Sequence, residues 1–194
     1  MGFSQAEGRS WARLATLVTL VTMAAVVARF GLDPQAPAFC CLAALGVPLA
    51  FVDAREYRLP DALTLPVYPA SLLLLGVAAP FVPGGTGRFG HALIGMAAAV
   101  ALFVLLLLAF PSGLGMGDVK LAGPLGAYLG WLGATAFLAG LMAAWLLAAV
   151  TGLGLMAAGR ANRKTQLPFG PFLIAATLGV ALVVGLPGGG WLGM

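Results

Sequence analysis

Gly115-Met116-Gly117-Asp118-Val119-Lys120 sets a carboxylate and an ammonium group, with glycines beside them, between two long apolar runs. A charge held at the edge of hydrocarbon is costly, and where it persists it is by default functional. A second stretch of this kind, Asp53-Ala54-Arg55-Glu56-Tyr57-Arg58-Leu59-Pro60-Asp61, stands at the exit of an earlier apolar run. Two such acids invite the reading of a paired site, and the surrounding chain decides whether they can meet.

The 194 residues are 61% hydrophobic and only 8% charged. A soluble domain carries about a quarter charged residues, so the composition predicts an all-α, polytopic transmembrane helix bundle. The net charge of +4 comes from basic residues scattered around the apolar runs, without a basic face, and predicts no nucleic-acid partner. Cys40 and Cys41 are adjacent within an apolar run, which offers neither a disulfide framework nor a zinc knuckle. They read as small apolar side chains packed in a helix. His91 has no second ligand near it in sequence and reads as interfacial. Neither a metal nor a cofactor is called for.

Roughly 20 residues of helix cover the hydrocarbon core, and on that scale the chain predicts seven spans: 11–30, 38–52, 63–81, 91–110, a shorter one at 118–131, 133–157 and 168–186. A polar segment 1–10 precedes this domain of residues 11–187, and a Gly-rich tail, 188–194, follows it. Residues 31–37, 82–90 and 111–117 read as turn-rich linkers. Arg9 and Arg13 ahead of an apolar run also fit a cleaved signal peptide, but the six spans that follow make this the weaker reading. Gly126 and Gly130 form a GxxxG in the fifth span, and Gly95 leads an alanine-rich stretch of the fourth. Small residues at such spacing let helices approach closely in lipid.

Seven spans put Arg9, Arg13, Arg55, Arg58, Lys120, Arg160, Arg163 and Lys164 on one side, eight of the ten basic residues. Only Arg29 and Arg88 fall on the other. The positive-inside rule makes the first side cytoplasmic. Asp53, Asp61 and Asp118 all land there, although the segmentation did not require it.

Two acids on one face can hydrolyse a peptide bond. An ionised carboxylate takes a proton from water while a protonated one donates to the carbonyl oxygen, and the pair shares a proton. Glycines beside Asp118 let an extended substrate come near and supply backbone freedom at the helix start. Each acid also has a plainer reading. Asp118 suits a helix N-cap, Asp53 a solvated acid paired with Arg55 or Arg58, and Asp61 after Pro60 a cap for the third span. Glu56 and Lys120 look like interfacial charges, though Lys120 could contact a substrate carboxylate or hold the pair's charge.

Three patterns in order carry a resemblance. Asp53 with Leu59-Pro60-Asp61 and Leu63-Thr64-Leu65-Pro66 is similar to the first signature of bacterial type IV prepilin peptidases. Gly115-Met116-Gly117-Asp118 resembles their GxGD signature, and Pro168-Phe169-Gly170-Pro171-Phe172 a late motif of the same family. The resemblance implies an integral-membrane aspartic endopeptidase of the bacterial inner membrane, active at its cytoplasmic face. Its partners would be prepilin or pseudopilin helices in the bilayer, cut after a glycine that ends a short basic leader. It assigns catalysis to Asp53 and Asp118, with Asp61, Pro60, Gly115, Gly117 and Lys120 as supporting or substrate-binding residues; the residues by themselves leave the choice between Asp53 and Asp61 open. Many members carry an amino-terminal cysteine-bearing domain linked to N-methylation. With only residues 1–10 before the first span, methyltransferase activity is not expected here. The basic cytoplasmic loops would favour anionic lipid by about 1 kcal/mol per residue near the surface. The alternatives are a small proton- or ion-coupled transporter, or a non-catalytic component of a pilus or secretion assembly.

Overall fold

The computed structural model describes residues 5–56, 64–110, 115–160 and 168–184. Seven α-helices run through them: α1 (Gln5–Phe30), α2 (Ala36–Glu56), α3 (Val67–Ala78), α4 (Gly85–Ala109), α5 (Met116–Leu132), α6 (Ala134–Ala157) and α7 (Gly170–Val184). A 3-10 turn, Ala79–Phe81, extends α3. By length and composition four segments can cross a membrane: Ser10–Phe30, Ala36–Glu56, Gly85–Ala109 and Ala134–Ala157. Val67–Phe81 and Gly170–Val184 are shorter apolar helices. The protein is a multi-pass membrane protein.

The centre of the bundle is α5. From Asp118 to Trp131 all of its residues except Lys120 are buried. A helix that is apolar all round must be covered all round, and α3, α4, α6 and α7 surround it. The most extensive of these contacts, against α4, uses the GxxxG noted above. A Cβ on Gly130 would stand 3.1 Å from the Gly95 Cα and press on the His91 carbonyl. One on Gly126 would meet the Ala99 Cβ and the Gly95 carbonyl. These backbones touch, and only hydrogen fits between them.

The helices alternate in direction, as contacts at both ends require. At one end Trp11 lies edge-on to Phe51, their centroids 6.2 Å apart, which joins the start of α1 to the end of α2. At the other, Trp131 Nε1 donates to Gln35 Oε1 at 2.8 Å, joining the end of α5 to the residue before α2. Arg29 Nε there donates to the Leu182 carbonyl at 2.6 Å, so a cation meets the last carbonyls of α7, where the helix dipole favours it. Gly133, at φ 116° and ψ 167°, makes the reversal between α5 and α6 in a single residue, a conformation that favours glycine.

Three boundaries differ from the expectation. The first helix begins at Gln5, its polar start preceding the apolar stretch. The segment 82–90 is largely helical, since α4 starts at Gly85. Three glycines within 85–90 make a poor helix by propensity, but tertiary contact overrides it. Gly85 sits on the Ala79 carbonyl with no room for a Cβ, and the Phe89 ring lies against Gly76. The segment 111–117 ends early, because α5 starts at Met116 rather than at Asp118. Cys40 and Cys41 are half-buried free thiols within α2, and Cys40 packs against the core.

The close approach of α4 and α5 predicts a contrast between two glycines. Gly130→Ala is expected to destabilise by about 1–3 kcal/mol through overpacking. Gly154→Ala in α6, where an added Cβ meets nothing within 4 Å, is expected to stabilise by about 0.5–1 kcal/mol. Thermal unfolding of the two variants in detergent measures both.

Candidate active site

Asp53 lies in the last turn of α2 and is 5% exposed; Asp118 lies in the first turn of α5 and is 8% exposed. Burial removes the reading of Asp53 as a solvated interfacial acid. Asp118 is no N-cap either. Gly115 occupies that position and Asp118 is the third residue of the helix. Its Oδ2 accepts the Gly115 N–H at 3.1 Å, while its own N–H donates to the Gly115 carbonyl at 3.1 Å. A helix start favours such a carboxylate by satisfying a free amide and by the sign of the dipole. Gly115 has φ −87° and ψ 151°, which any residue adopts, so the backbone freedom expected of it is not used. Gly117 is half-exposed in the first turn of α5.

The two carboxylates come together where the start of α7 meets both helices. The Gly170 backbone amide faces both, and each acid is near enough for the charge of Asp118 to act on Asp53. A Cβ on Gly170 would come within 2.5 Å of Asp53 Oδ2 and 3.3 Å of Leu121 Cδ2. Among the described residues Asp53 Oδ2 is buried without a hydrogen-bond partner. No three His, Cys, Asp or Glu side chains among the described residues converge to hold a metal ion.

Behind Asp118, a phenol holds the helix start. Pro124 has no N–H to return to the Lys120 carbonyl four residues earlier. Tyr68 Oη donates to that carbonyl instead, at 2.8 Å. Gly123 makes this possible, since any Cβ there would collide with the Tyr68 ring. Lys120 itself is half-exposed, and its backbone, two residues from Asp118, is tied to α3.

Of the residues singled out in the sequence, Asp53, Asp118 and Gly115 are thus assembled, with Gly117 and Lys120 adjacent along α5. Pro60 and Asp61 lie outside the described residues, as do Arg58, Arg163, Lys164 and the tail 188–194. Two contributors escaped the sequence reading. Gly170 was legible only as part of a motif, and Tyr68 only through the spacing of Lys120 and Pro124.

Comparison with known proteins bears on this geometry. The model of the "Type IV leader peptidase family" matches residues 38–184, a range that contains both acids and Gly170. A "Prepilin leader peptidase/N-methyltransferase" of Aeromonas salmonicida is 37% identical over 135 residues, 67% of this chain and 43% of that protein. A protein of the same name from Xanthomonas campestris is 33% identical over 168 residues, 84% of this chain and 55% of that one. The chain thus spans about half the length of these curated relatives. The "Leader peptidase HopD" of Escherichia coli is 36% identical over 148 residues, 75% of this chain and 92% of that protein. No solved structure matches the chain.

Removing the phenol in Tyr68→Phe is expected to lose the hydrogen bond to the Lys120 carbonyl and to cost about 0.5–1.5 kcal/mol. Pro124→Ala restores a donor, so the Tyr68→Phe/Pro124→Ala protein is expected to lose less than Tyr68→Phe does. A double-mutant cycle on thermal stability measures the coupling.

Proposed function

The chain belongs to the type IV leader peptidase family, and from that premise we propose that it is an aspartic endopeptidase. It removes the basic leader of prepilin-like or pseudopilin substrates at the cytoplasmic face of a bacterial inner membrane. Asp53 and Asp118 are the catalytic pair. The observation that carries this reading is the convergence of two buried carboxylates, one from the end of α2 and one from the start of α5, on one glycine amide.

The chemistry follows from the pairing. Two carboxylates in an apolar site cannot both ionise cheaply and hold one proton between them. The ionised acid takes a proton from a water as its oxygen attacks the scissile carbonyl carbon. The protonated acid gives its proton to the carbonyl oxygen, which makes a gem-diol. Collapse of the diol breaks the C–N bond, returns one proton to the new amino group and leaves the pair singly protonated. No electrons change hands, and the water supplies the atoms needed.

All seven helices are read as spans, with the site at the basic side. The three helices without a full-length apolar stretch, α3, α5 and α7, have 12, 17 and 15 residues. At about 1.5 Å per residue they fall short of a hydrocarbon core about 30 Å thick. Both α5 and α7 start at the site, so water reaches the acids through a recess in the cytoplasmic leaflet. A substrate helix lies beside the bundle in the bilayer, and its unwound end enters that recess. Asp61, Pro60, Gly117 and Lys120 support the site or touch the substrate.

Co-expression with a prepilin bearing a basic leader tests the reading. Asp53→Asn and Asp118→Asn are each expected to slow cleavage by about 10²–10⁴-fold while the protein still inserts. Normal processing by Asp118→Asn would overturn the pair. Altered ion flux with intact processing would favour a carrier.

A further inference from the structure

The first turn of α7 offers unusually few amide donors. The first four N–H groups of a helix have no partner within it. In α7 these are residues 170–173, and Pro171 has no N–H. Phe172 and Leu173 both donate to the Phe169 carbonyl, each at 3.1 Å. That leaves the N–H of Gly170 alone, and it faces the two carboxylates. The residue before it is fixed firmly. The Phe169 ring is buried between Phe103 and Trp145, with centroids at 5.8 and 4.9 Å, so α4 and α6 anchor the turn. The acid across from it is equally confined. Asp53 is 5% exposed, and its Oδ2 has no hydrogen-bond partner among the described residues. Any side chain at position 170 would stand 2.5 Å from that oxygen and 3.2 Å from the Asp53 Cγ.

We propose that Gly170 is the positioning residue of the pair: its bare Cα sets how closely the two carboxylates approach, and its lone N–H holds the charge they share. This rests on the reading of Asp53 and Asp118 as the catalytic pair. The two carboxylates sit on different helices, α2 and α5, with nothing in either sequence to fix their separation. The start of α7 touches both and provides a rigid third point. A dipole pointing its positive end at the pair acts in the same sense. The residue never touches the scissile bond, so its removal acts on turnover rather than on substrate binding.

Two variants separate bulk from hydrogen bonding. Gly170→Ala adds the Cβ and keeps the N–H. Glycolic acid at position 170, introduced by nonsense suppression, replaces the N–H by oxygen and adds no bulk, so it inserts even where Gly170→Ala does not. Each is assayed on the full chain in membranes with a prepilin reporter. Both are expected to lower kcat by about 10- to 100-fold, the range of a hydrogen bond to a charged group, with KM unchanged. A readout independent of activity accompanies this. Gly170→Ala is expected to lower the Tm of the wild-type protein by more than that of Asp53→Ala, where the colliding carboxylate is gone and only the Leu121 contact remains.

An unchanged kcat in the glycolic acid variant would overturn the role of the N–H, and an equal loss of Tm in both backgrounds would overturn the steric one. A loss carried by KM alone would overturn positioning as a whole. The Asp→Asn variants keep the two ideas apart. If they process the reporter normally, the catalytic pair fails. If they are inactive while both Gly170 variants turn over normally, the pair stands and this inference fails.

Discussion

A helix that carries a charge at one end and is covered on every side depends on its neighbours coming close enough to cover it. In α5 this is met by backbone against backbone: Gly126 and Gly130 lie on Gly95, Ala99 and the His91 carbonyl of α4. In lipid there is no hydrophobic gain from bringing helices together, so tight van der Waals contact and hydrogen bonds carry the association. The glycines give α4 and α5 that contact, and the other helices close round the remaining faces of α5. Asp118 is carried inward as a consequence, since it shares a helix whose every face is occupied.

Polar groups drawn into these surroundings need internal partners, because hydrocarbon offers none. The outer half of the bundle meets this demand with few exceptions. Trp131 bonds to Gln35, Tyr128 to the Ala38 carbonyl and Thr177 to the Leu173 carbonyl. Among the described residues three buried side-chain atoms have no partner, Arg29 Nη2, Ser71 Oγ and Asp53 Oδ2, and the last of these lies at the paired acids. Around that point the backbone is held firmly: Gly115 binds Asp118, Tyr68 holds the Lys120 carbonyl, and Phe169 is clamped between two rings. A rigid frame around two buried acids suits general acid-base chemistry, since the groups must be in place before water arrives.

Much of this was legible from residue types alone. Long apolar runs can bury their backbone polarity in water-free surroundings only as helices, so the number of helices and their alternation followed from hydropathy and spacing. That the two acids could lie at one end of the bundle followed from the alternation of the helices between them. The cost of a carboxylate beside hydrocarbon singled out Asp53 and Asp118 as candidates. Helix ends were less legible. Residues 85–90 are glycine-rich and read as a loop, yet they are helical because Gly85 and Phe89 find specific partners on the preceding helix. Asp118 read as a possible cap, but it stands one turn further in, with a glycine taking the capping position.

The sequence by itself determined the class of the protein and the alternation of its helices, and it singled out two acids as candidates, because each rests on local chemistry: the transfer cost of a side chain and the period of a helix. The tertiary structure alone decided how the acids meet. Asp53 and Asp118 are separated by two helices in the chain, and no local preference fixes their distance. It is set by α7, which arrives from the far end of the sequence and brings a residue with no side chain and one free N–H. Such a contact depends on the summed packing of several helices, and that sum is invisible in any single stretch of residues.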